Sequence, residues 1–500
     1  MEAIILLLLP LVLLATAFVL VFVPAERKEI FQQVTLAATS LCLVGTVLLF
    51  LRFPSGSAQY QFLFRMDWLP QLGIHYQIGV DGISMTLVLL LALVSTSGAF
   101  VSFWIKDRVK EYMIFYLILV ASLYGVFTSL DLFFLYLFYE MSVIPMYPLI
   151  GIWGSQNKEY ASMKLTVYIT TGAVLALAGI LSFYGVTGLQ TFDLIAIRET
   201  MQNVGAGLPR PLGAVTVPLQ QEQLIAPCLL FGFGVIASLW PLHSWSPIGY
   251  AAAPSAVSML HAGVLKKMGP YLIIRLVFTF LPNGGRAWFP VIAVLATINI
   301  LYAAFAAIDQ KDLKYLIGFS SVSHMGYILL GLAASNVTAL SGAVFLMFSH
   351  GVMAASAFAL VGYVYEQTHT RQIPELGGLA KKLPFISTCF VMTALASAGV
   401  PGFSNFVSEL LIFLGAWEHY RWPVILAVIG ILFTSVYLLR AVRRVFFGVA
   451  TRDWRNLQDP QSWGARFPFV LLLGALLIFG FWPDALLRII QPSVNLLTGG

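Results

Sequence analysis

The chain has 500 residues, of which 59% are hydrophobic and only 10% are charged, and its formal net charge is +6. A soluble globular protein of this length carries far more charged residues on its surface, so the composition excludes that class and indicates an all-α polytopic membrane protein. The lysines and arginines are spread over short connections without forming a basic stripe, so we expect a lipid bilayer and no nucleic acid as partner.

Apolar stretches recur along the whole chain at the length of a membrane crossing. Taking about 20 apolar residues per crossing, we predict about fourteen transmembrane helices. The first stretch, residues 2–24, lacks a basic leading segment and a small-residue cleavage site, so it is predicted to be a crossing and not a removable signal. Most lysines and arginines fall in odd-numbered connections, which the positive-inside rule assigns to the cytoplasm. Both termini are therefore predicted to lie on the outer side.

Three connections are longer than hairpins, namely residues 52–81, 188–222 and 451–467. The first alternates apolar and polar residues around a turn signal, which predicts a small β-hairpin on the outer face. None is long enough to form a soluble catalytic domain, and the chain contains no GxGxxG, P-loop or HExxH motif. Any chemistry is therefore expected inside the membrane.

Two apolar segments contain residues that interrupt helices. Residues 231–247 contain Pro241, and residues 395–415 contain Gly399, Pro401 and Gly402. Proline frees a backbone carbonyl, which has to be satisfied by buried protein or by water. Two broken helices five crossings apart are typical of an internal transporter repeat with its site near the breaks. Two unrelated proline kinks are the alternative.

Ionisable side chains within the apolar segments are the most informative residues, because each costs roughly 2.5–3.5 kcal/mol at the centre of a membrane helix. They require either a partner or a function. The set comprises Glu140, Lys164, His261, Lys266, Lys267, His324, His350 and Glu409.

We interpret this set as a proton relay. Burial disfavours the charged forms of amines and carboxylic acids alike, so a buried Lys267 can exchange protons with a buried Glu140 or Glu409 near neutral pH. His324 and His350 fit as intermediate carriers. The alternatives are static ion pairs, hydrogen-bonded histidines and, for Lys164 near a helix start, a side chain that extends to the membrane surface. Lys266 and Lys267 should face different neighbours, since adjacent residues of an α-helix diverge by about 100°.

The chain shows no ligand pattern for a redox group. Its three cysteines lie apart in apolar runs, and no histidine pair has haem-like placement. We therefore expect no cofactor in this chain, and any electron transfer has to take place in partner subunits.

Several sequence strings together resemble the M-type antiporter-like membrane subunits of bacterial respiratory complex I, the proton-pumping NADH:quinone oxidoreductase. The resemblance runs in order over nearly the whole chain. The strings are GVDGIS (79–84), LFYEMSVIPMY (137–147), PLHSW (241–245), SAVSMLHAGVLKKMGPY (255–271), DLKYLIGFSSVSHMGY (312–327) and GVPGFSNFVSEL (399–410).

The resemblance implies about fourteen helices that contain two inverted five-helix repeats, with the seventh and twelfth helices broken. The corresponding divisions are residues 1–110 for the first three helices, 111–285 for helices 4–8, 286–450 for helices 9–13, and 451–500 for a cytoplasmic loop and the last helix. It further implies that Glu140 is the essential acid of the fifth helix, Lys267 the central lysine and Glu409 the acid on the exit side. His324 and His350 are then the histidines that connect them.

The sequence departs from the family pattern at the seventh helix. Ile236 stands where the family has a lysine that pairs with the fifth-helix glutamate, and SPIGY (246–250) replaces the usual LPDAH. Because a buried charge without its partner costs several kcal/mol, Glu140 should stay protonated or find another cation. Lys266, which stands where the family has leucine, and Lys164 are both candidates.

The resemblance implies a proton-translocating subunit of an oxidoreductase in the bacterial inner membrane, with both termini in the periplasm. The expected partners are L-, N- and K-type membrane subunits, together with subunits that hold NADH or another donor, FMN, iron–sulfur clusters and quinone. The alternatives are a cation/proton antiporter component, a membrane subunit of an energy-converting hydrogenase, and a paralogue whose first half-channel is inactive.

Overall fold

A computed structural model describes residues 1–188, 191–205 and 217–498 of the chain. Twelve helical segments are long and apolar enough to cross a membrane. Residues 255–278 and 384–417 form two further crossings that are divided into shorter helices. The predicted number of about fourteen crossings is therefore confirmed.

The helices before the middle of the chain, in order, are α1 (Glu2–Val21), α2 (Lys28–Arg52), α3 (Gly82–Val101), α4 (Val109–Thr128), α5 (Leu132–Val143), α6 (Met146–Trp153), α7 (Lys158–Thr187), α8 (Leu194–Gly205), α9 (Leu219–Ile236) and α10 (Trp245–Ala252). They are followed by α11 (Ser255–Gly263), α12 (Met268–Leu272), α13 (Pro282–Ile308), α14 (Leu313–Ala334), α15 (Val337–Thr368), α16 (Pro384–Ser397), α17 (Ser404–Trp417), α18 (Arg421–Phe447), α19 (Trp463–Phe481) and α20 (Asp484–Thr498).

The predicted hairpin is present and lies beside both ends of the chain. Strands β1 (Gln61–Leu69) and β2 (Ile74–Val80) pair antiparallel, and the turn between them ends at Gly73, whose φ of 68° favours glycine. The nearby Gly56 amide donates a hydrogen bond to the Arg488 carbonyl on α20. We call this side of the bundle the hairpin face and the opposite side, which carries most of the lysines and arginines, the basic face. The predicted connection 188–222 lies partly outside the described residues.

The most enclosed helices stand in the middle of the bundle. The apolar windows of α14 and α15 are 94% and 100% buried, whereas those of α1, α2 and α18 are each 33% buried. The outer helices carry the exposed apolar side chains that face lipid. Side chains on α14 and α15 are therefore enclosed by other helices. A charged group on these two helices avoids contact with lipid, which would be energetically costly.

Both predicted helix breaks are confirmed. The seventh crossing stops at Ile236 and resumes at Trp245, and the twelfth stops at Ser397 and resumes at Ser404. In the second break Gly399 and Gly402 have φ values of +67° and +100°, which only glycine adopts without strain. Helix α4 begins at Val109 and α13 at Pro282, and the predicted divisions at residues 110, 285 and 450 stay a prediction. The division into two inverted repeats stays a prediction.

A third interruption, in the eighth crossing, was not predicted. Helix α11 ends at Gly263, a 3-10 turn covers Leu265–Lys267, and a π-helix covers Ile273–Phe278. Pro270 explains the change, because its ring would clash with the carbonyl of Lys266 in a continuous α-helix. The two lysines therefore lie in a tighter turn than the regular helix that the sequence suggested.

Candidate functional site

Four of the predicted residues form a continuous buried row, which we call the central row. It consists of Lys267, His350, His324 and Glu409, and none of the four side chains is more than 3% exposed. The residues come from the eighth, eleventh, tenth and twelfth crossings, so the fold brings together groups that are far apart in sequence.

Lys267 and His350 form the first contact of the central row. The Lys267 Nζ lies 2.8 Å from the His350 Nδ1 and also donates to the carbonyl of Ala262. When the ammonium donates to Nδ1, that nitrogen carries no proton and the hydrogen of the neutral ring is on Nε2. The His350 ring stacks on the His324 ring, with centroids 5.0 Å apart. A proton on Lys267 therefore has one ring as its acceptor and a second ring beside it.

His324 is held by two backbone carbonyls. Its Nδ1 lies 2.8 Å from the carbonyl oxygen of Ser320, and its Nε2 lies 3.1 Å from that of Ser397. A neutral imidazole can donate to only one of them, whereas the imidazolium donates to both. Ser397 is the last residue of α16, so its carbonyl is free because the helix ends there. The broken helix thus supplies an acceptor that favours a proton on His324.

Glu409 completes the row on the far side of His324. Its Oε1 lies 3.7 Å from His324 Nε2 and has no hydrogen-bond partner within the described part of the chain. The carboxyl group also approaches the second break closely, because a Cβ placed on Gly399 would lie 2.7 Å from Glu409 Oε2. Glu409 is therefore positioned by the break and has an acceptor oxygen free for a proton from the histidine.

This contact predicts the effect of a single methyl group. Gly399→Ala should displace the Glu409 carboxyl group from His324, measured as the loss of the contact between Glu409 Oε1 and His324 Nε2 in a structure of the variant. Gly402→Ala is the matched control, because its φ of +100° imposes backbone strain but the nearest atom to its Cβ is on Phe481, 3.5 Å away. Equal losses in both variants would attribute the effect to backbone strain and not to Glu409.

Lys266 contacts residues outside the central row, and its side chain is buried between α10 and α14. Its Nζ lies 3.2 Å from Ser246 Oγ on α10 and 3.4 Å from Ser321 Oγ on α14, and 5.3 Å from the centre of the Tyr250 ring. The expectation that the two lysines face different neighbours is confirmed. Beside Lys267 the backbone of α15 packs closely against Gly263, because a Cβ on Gly263 would lie 3.0 Å from the Gly351 carbonyl.

Glu140 and Lys164 do not join the central row. Both side chains are half-buried, and no lysine or arginine lies within ion-pair distance of Glu140 among the described residues. Lys164 instead lies beside the rings of Tyr160 and Tyr168, at 5.6 and 5.8 Å from their centres. Neither Lys266 nor Lys164 therefore pairs with Glu140. Ile236, which stands in place of the expected lysine, is fully buried at the end of α9.

The backbone groups freed at the first helix break are bonded by side chains that do not titrate. The Asn299 side chain on α13 donates to the Ser238 carbonyl at 2.9 Å and accepts from the Trp240 amide at 2.6 Å. The Trp245 indole donates to the Val235 carbonyl at 3.0 Å. The second break presents a free carbonyl to His324, so the two breaks are chemically different and only the second belongs to the central row.

The buried ion pair of Asp81 with Arg275 was not predicted from the sequence. Two guanidinium nitrogens of Arg275 contact the two oxygens of Asp81, and both side chains are about 5% exposed. Asp81 also caps α3 by accepting from the amides of Ile83 and Ser84. The sequence contains two signals for this pair. Asp81 lies within the string GVDGIS, and Arg275 is the single charged residue of the apolar run IIRLVF. The pair lies at the hairpin face, away from the central row.

A family model described as "NADH:quinone oxidoreductase/Mrp antiporter, TM" matches residues 129–434. The chain is 32% identical over 496 residues to the "NADH-quinone oxidoreductase subunit M" of Rickettsia bellii, covering 97% of this chain and 96% of that protein. It is 37% identical over 452 residues to the "NAD(P)H-quinone oxidoreductase chain 4 1" of Synechococcus elongatus, covering 89% of this chain and 82% of that protein.

Solved structures show the same fold. A chain in the structure of respiratory complex I from Thermus thermophilus with bound NADH matches with a TM-score of 0.88 and 25% identity, covering 100% of this chain and 99% of that chain. A chain of the Mrp complex from Dietzia sp. DQ12-45-1b matches with a TM-score of 0.85 and 20% identity, covering 99% of this chain and 97% of that chain. The predicted all-α polytopic membrane fold is therefore confirmed.

Proposed function

Because the chain belongs to the NADH:quinone oxidoreductase/Mrp antiporter membrane family, we propose that it is the M-type proton-translocating subunit in the membrane arm of a complex I-like NADH:quinone oxidoreductase. The observation that carries this proposal is the central row, in which two histidines connect a buried lysine to a buried glutamate. A static structural role does not require four titratable groups in contact at the most enclosed place in the bundle.

The geometry supports a sequence of proton positions along the row. A proton on Lys267 passes to His350 Nδ1, which leaves a neutral amine and an imidazolium. The imidazolium then releases the hydrogen of Nε2, which has no partner among the described residues, through water to the stacked His324 ring, whose protonated form satisfies two carbonyls. The free Oε1 of Glu409 then accepts it from His324 Nε2. Each position is a side chain whose chemistry allows it to gain and to lose a proton.

The energy for translocation has to come from outside this chain. Moving one proton against about 100 mV requires roughly 2.3 kcal/mol, and neither the sequence nor the central row offers a ligand pattern for a redox group. We place NADH or another donor, FMN, iron–sulfur clusters and quinone in partner subunits. Electron transfer there would change the charge distribution at the ends of the row.

We assign the partners as L-, N- and K-type membrane subunits, and the location as the bacterial inner membrane. The basic face is assigned to the cytoplasm by the positive-inside rule, which places the hairpin face and both termini in the periplasm. Glu140 is only half-buried, so a neighbouring membrane subunit can reach it.

Glu409→Gln tests the proposal directly. The amide keeps the size of the side chain but cannot carry a proton, so we expect NADH-driven acidification of inverted vesicles to be lost while the complex still assembles. Acidification is measured with a pH-sensitive acridine dye, and assembly by the amount of subunit in the isolated complex. Full acidification by the assembled variant would refute the proposal.

We infer as a second candidate function a paralogue whose first half-channel is inactive. It is favoured by the buried Ile236 and by Glu140, which has no lysine or arginine within ion-pair distance among the described residues. Because Glu140 is not in contact with the central row, we expect Glu140→Gln to lower the number of protons translocated per electron less than Glu409→Gln does. The two ratios are compared in the same vesicle preparation. Equal losses would contradict the separation and make Glu140 an obligatory member of one path.

A cation/proton antiporter would differ from the proposed subunit in its source of energy. An antiporter takes its energy from the ion gradient, so a sodium gradient alone should acidify or alkalinise vesicles that contain the complex. We expect no such exchange without NADH, because the central row contains a single carboxyl group, Glu409, and a sodium site is built from several oxygen ligands. Sodium-driven exchange that Glu409→Gln abolishes would favour the antiporter.

A further inference from the structure

The buried Lys266 amine lies among groups that suit both of its protonation states. Its side chain is 0% exposed, and no carboxylate lies within ion-pair distance in the part of the chain that the structure describes. The hydroxyl groups of Ser246 and Ser321 accept hydrogen bonds from the ammonium and can equally donate to the neutral amine. The contacts of Lys266 therefore survive both the gain and the loss of a proton.

Two further polar groups beside Lys266 are buried without partners. Both ring nitrogens of His261 and the hydroxyl of Tyr250 lack hydrogen bonds among the described residues, and both side chains are 0% exposed. The His261 ring stacks on Trp245 at 5.2 Å and meets the edge of Tyr250 at 4.9 Å. Buried polar groups are almost always paired with protein or with ordered water. We call the group of Lys266, Ser246, Tyr250, His261 and Ser321 the Lys266 pocket.

A cleft of about 230 Å³ opens at the basic face, next to the connection between α10 and α11. Since water occupies about 30 Å³ per molecule in the liquid, the cleft has room for several water molecules. Its lining includes residues 253–256, which connect α10 to α11, and the charged side chains of Lys314, Glu366 and Arg371. Tyr250 and His261 lie on the two helices that this connection joins, within two turns of the cleft.

The other side of the Lys266 pocket leads to the central row. Ser321, which accepts from Lys266, lies on α14 three residues before His324, and such residues share a helix face. The two lysines therefore contact different helices of the central row: Lys266 contacts Ser321 on α14, which carries His324, and Lys267 contacts His350 on α15.

Building on the proposed function, we propose that Lys266 is a second proton carrier, which takes protons from the cleft at the basic face and delivers them to the histidines of the central row. A proton from the aqueous side enters through the cleft and passes along water that bridges His261 and Tyr250 to the neutral Lys266 amine. The ammonium donates it to the Ser321 hydroxyl, and the hydroxyl's own proton passes through water to the His324 nitrogen that is left without a proton once Glu409 has accepted one. The amine is then neutral again, and the charge has moved by one site.

Two substitutions of Lys266 separate a carrier from a static cation. Lys266→Leu removes the charge at similar volume, and Lys266→Arg keeps a permanent positive charge that cannot release its proton. For a carrier, both variants should lower the number of protons translocated per NADH oxidised to the value measured for Lys267→Ala. The ratio is measured in inverted vesicles containing the assembled complex. A ratio retained in Lys266→Arg would overturn the proposal in favour of a static cation.

The Lys267→Ala comparison also separates this inference from the proposed function. If Lys267→Ala abolishes translocation and Lys266→Leu does not, the carrier role of Lys266 is refuted while the central row stands. If neither variant changes the ratio, the proposed function fails. Should Lys266→Leu prevent assembly, the double variant Ser246→Ala, Ser321→Ala decides, because it keeps the lysine and removes both hydroxyl groups. An unchanged ratio in that assembled variant would overturn the proposal.

Discussion

Lys267→Ala is expected to abolish NADH-driven proton translocation while leaving an assembled complex. Removal of the amine takes away the hydrogen bond to His350 Nδ1 and with it the first proton position of the central row. A positioned proton carrier contributes roughly 10²–10⁴-fold to the rate of transfer, so the residual rate should lie near the background of the vesicles. Lys266 cannot replace it, because its Nζ contacts Ser246 and Ser321 instead.

Lys267→Arg and Lys110→Ala are the matched controls for this result. The arginine keeps the positive charge but does not release a proton, so translocation should also be lost if Lys267 is a carrier. Lys110 is half-buried at the basic face and donates to the carbonyls of Val21 and Val23, so its removal should leave the ratio of protons to electrons unchanged. A Lys267→Ala complex with the unsubstituted ratio would contradict the proposed function.

The members of the central row could be predicted from the sequence. An ionisable residue in an apolar segment is conspicuous, because inserting it into a membrane costs energy, and the resemblance supplied an order for Lys267, His324, His350 and Glu409. The structure adds the contacts, since these residues lie on four separate crossings and only the bundle brings them together. The breaks near Pro241 and Pro401 were likewise visible as residues that cannot continue a helix.

The surroundings of each carrier could not be predicted. The direction of Lys266 depends on α11 ending at Gly263, where Val264 adopts φ −122° and ψ −58° before the 3-10 turn. The backbone carbonyls of Ser320 and Ser397 hold His324, and a carbonyl has no signature in the sequence. The sequence left open which cation pairs with Glu140. Neither candidate does so, because Lys266 contacts Ser246 and Ser321 and Lys164 lies beside Tyr160 and Tyr168.

The chemical difference between the two breaks follows from one residue on each side. At the first break Asn299 bonds the freed backbone groups through an amide that has one protonation state. At the second break the freed carbonyl is met by His324, which has two. The freed backbone groups of the first break are therefore bonded by an amide that does not change its protonation state. The freed carbonyl of the second break instead contacts a side chain that can carry a proton. This difference agrees with the loss of the seventh-helix lysine and with a central row that lies toward the second break.

Arg275→Leu is expected to cause the largest loss of stability. It would leave the Asp81 carboxylate buried without its counter-charge, and breaking a buried ion pair in this way costs about 3–5 kcal/mol. The guanidinium also lies over the rings of Tyr60 and Tyr271, at 5.5 and 5.0 Å from their centres. The measurement is the amount of subunit that remains in the complex after heating in detergent. We expect the variant to be lost at temperatures that the unsubstituted complex survives.

The double variant Asp81→Asn, Arg275→Leu should be more stable than Arg275→Leu alone. Asparagine keeps an oxygen for the amides of Ile83 and Ser84 but removes the charge that lacks a partner. Burial alone raises the pKa of Asp81, but Arg275 and Ser84 bring that pKa below its ordinary value of 3.8. The ionised carboxylate therefore stabilises the fold above that value, and this contribution is lost as the pH falls through the lowered pKa.

A control pair lies on the same face of the bundle. Arg488 and Asp484 form an ion pair on α20 in which both side chains are at least half exposed, and such pairs contribute about 0–1 kcal/mol. Arg488→Leu should therefore leave the heating profile nearly unchanged. If Arg275→Leu and Arg488→Leu behave alike, the buried pair does not secure the hairpin face. If only Arg275→Leu fails and the double variant recovers, the uncompensated Asp81 charge is the cause, and the pair serves to fix the start of α3 against the end of the eighth crossing.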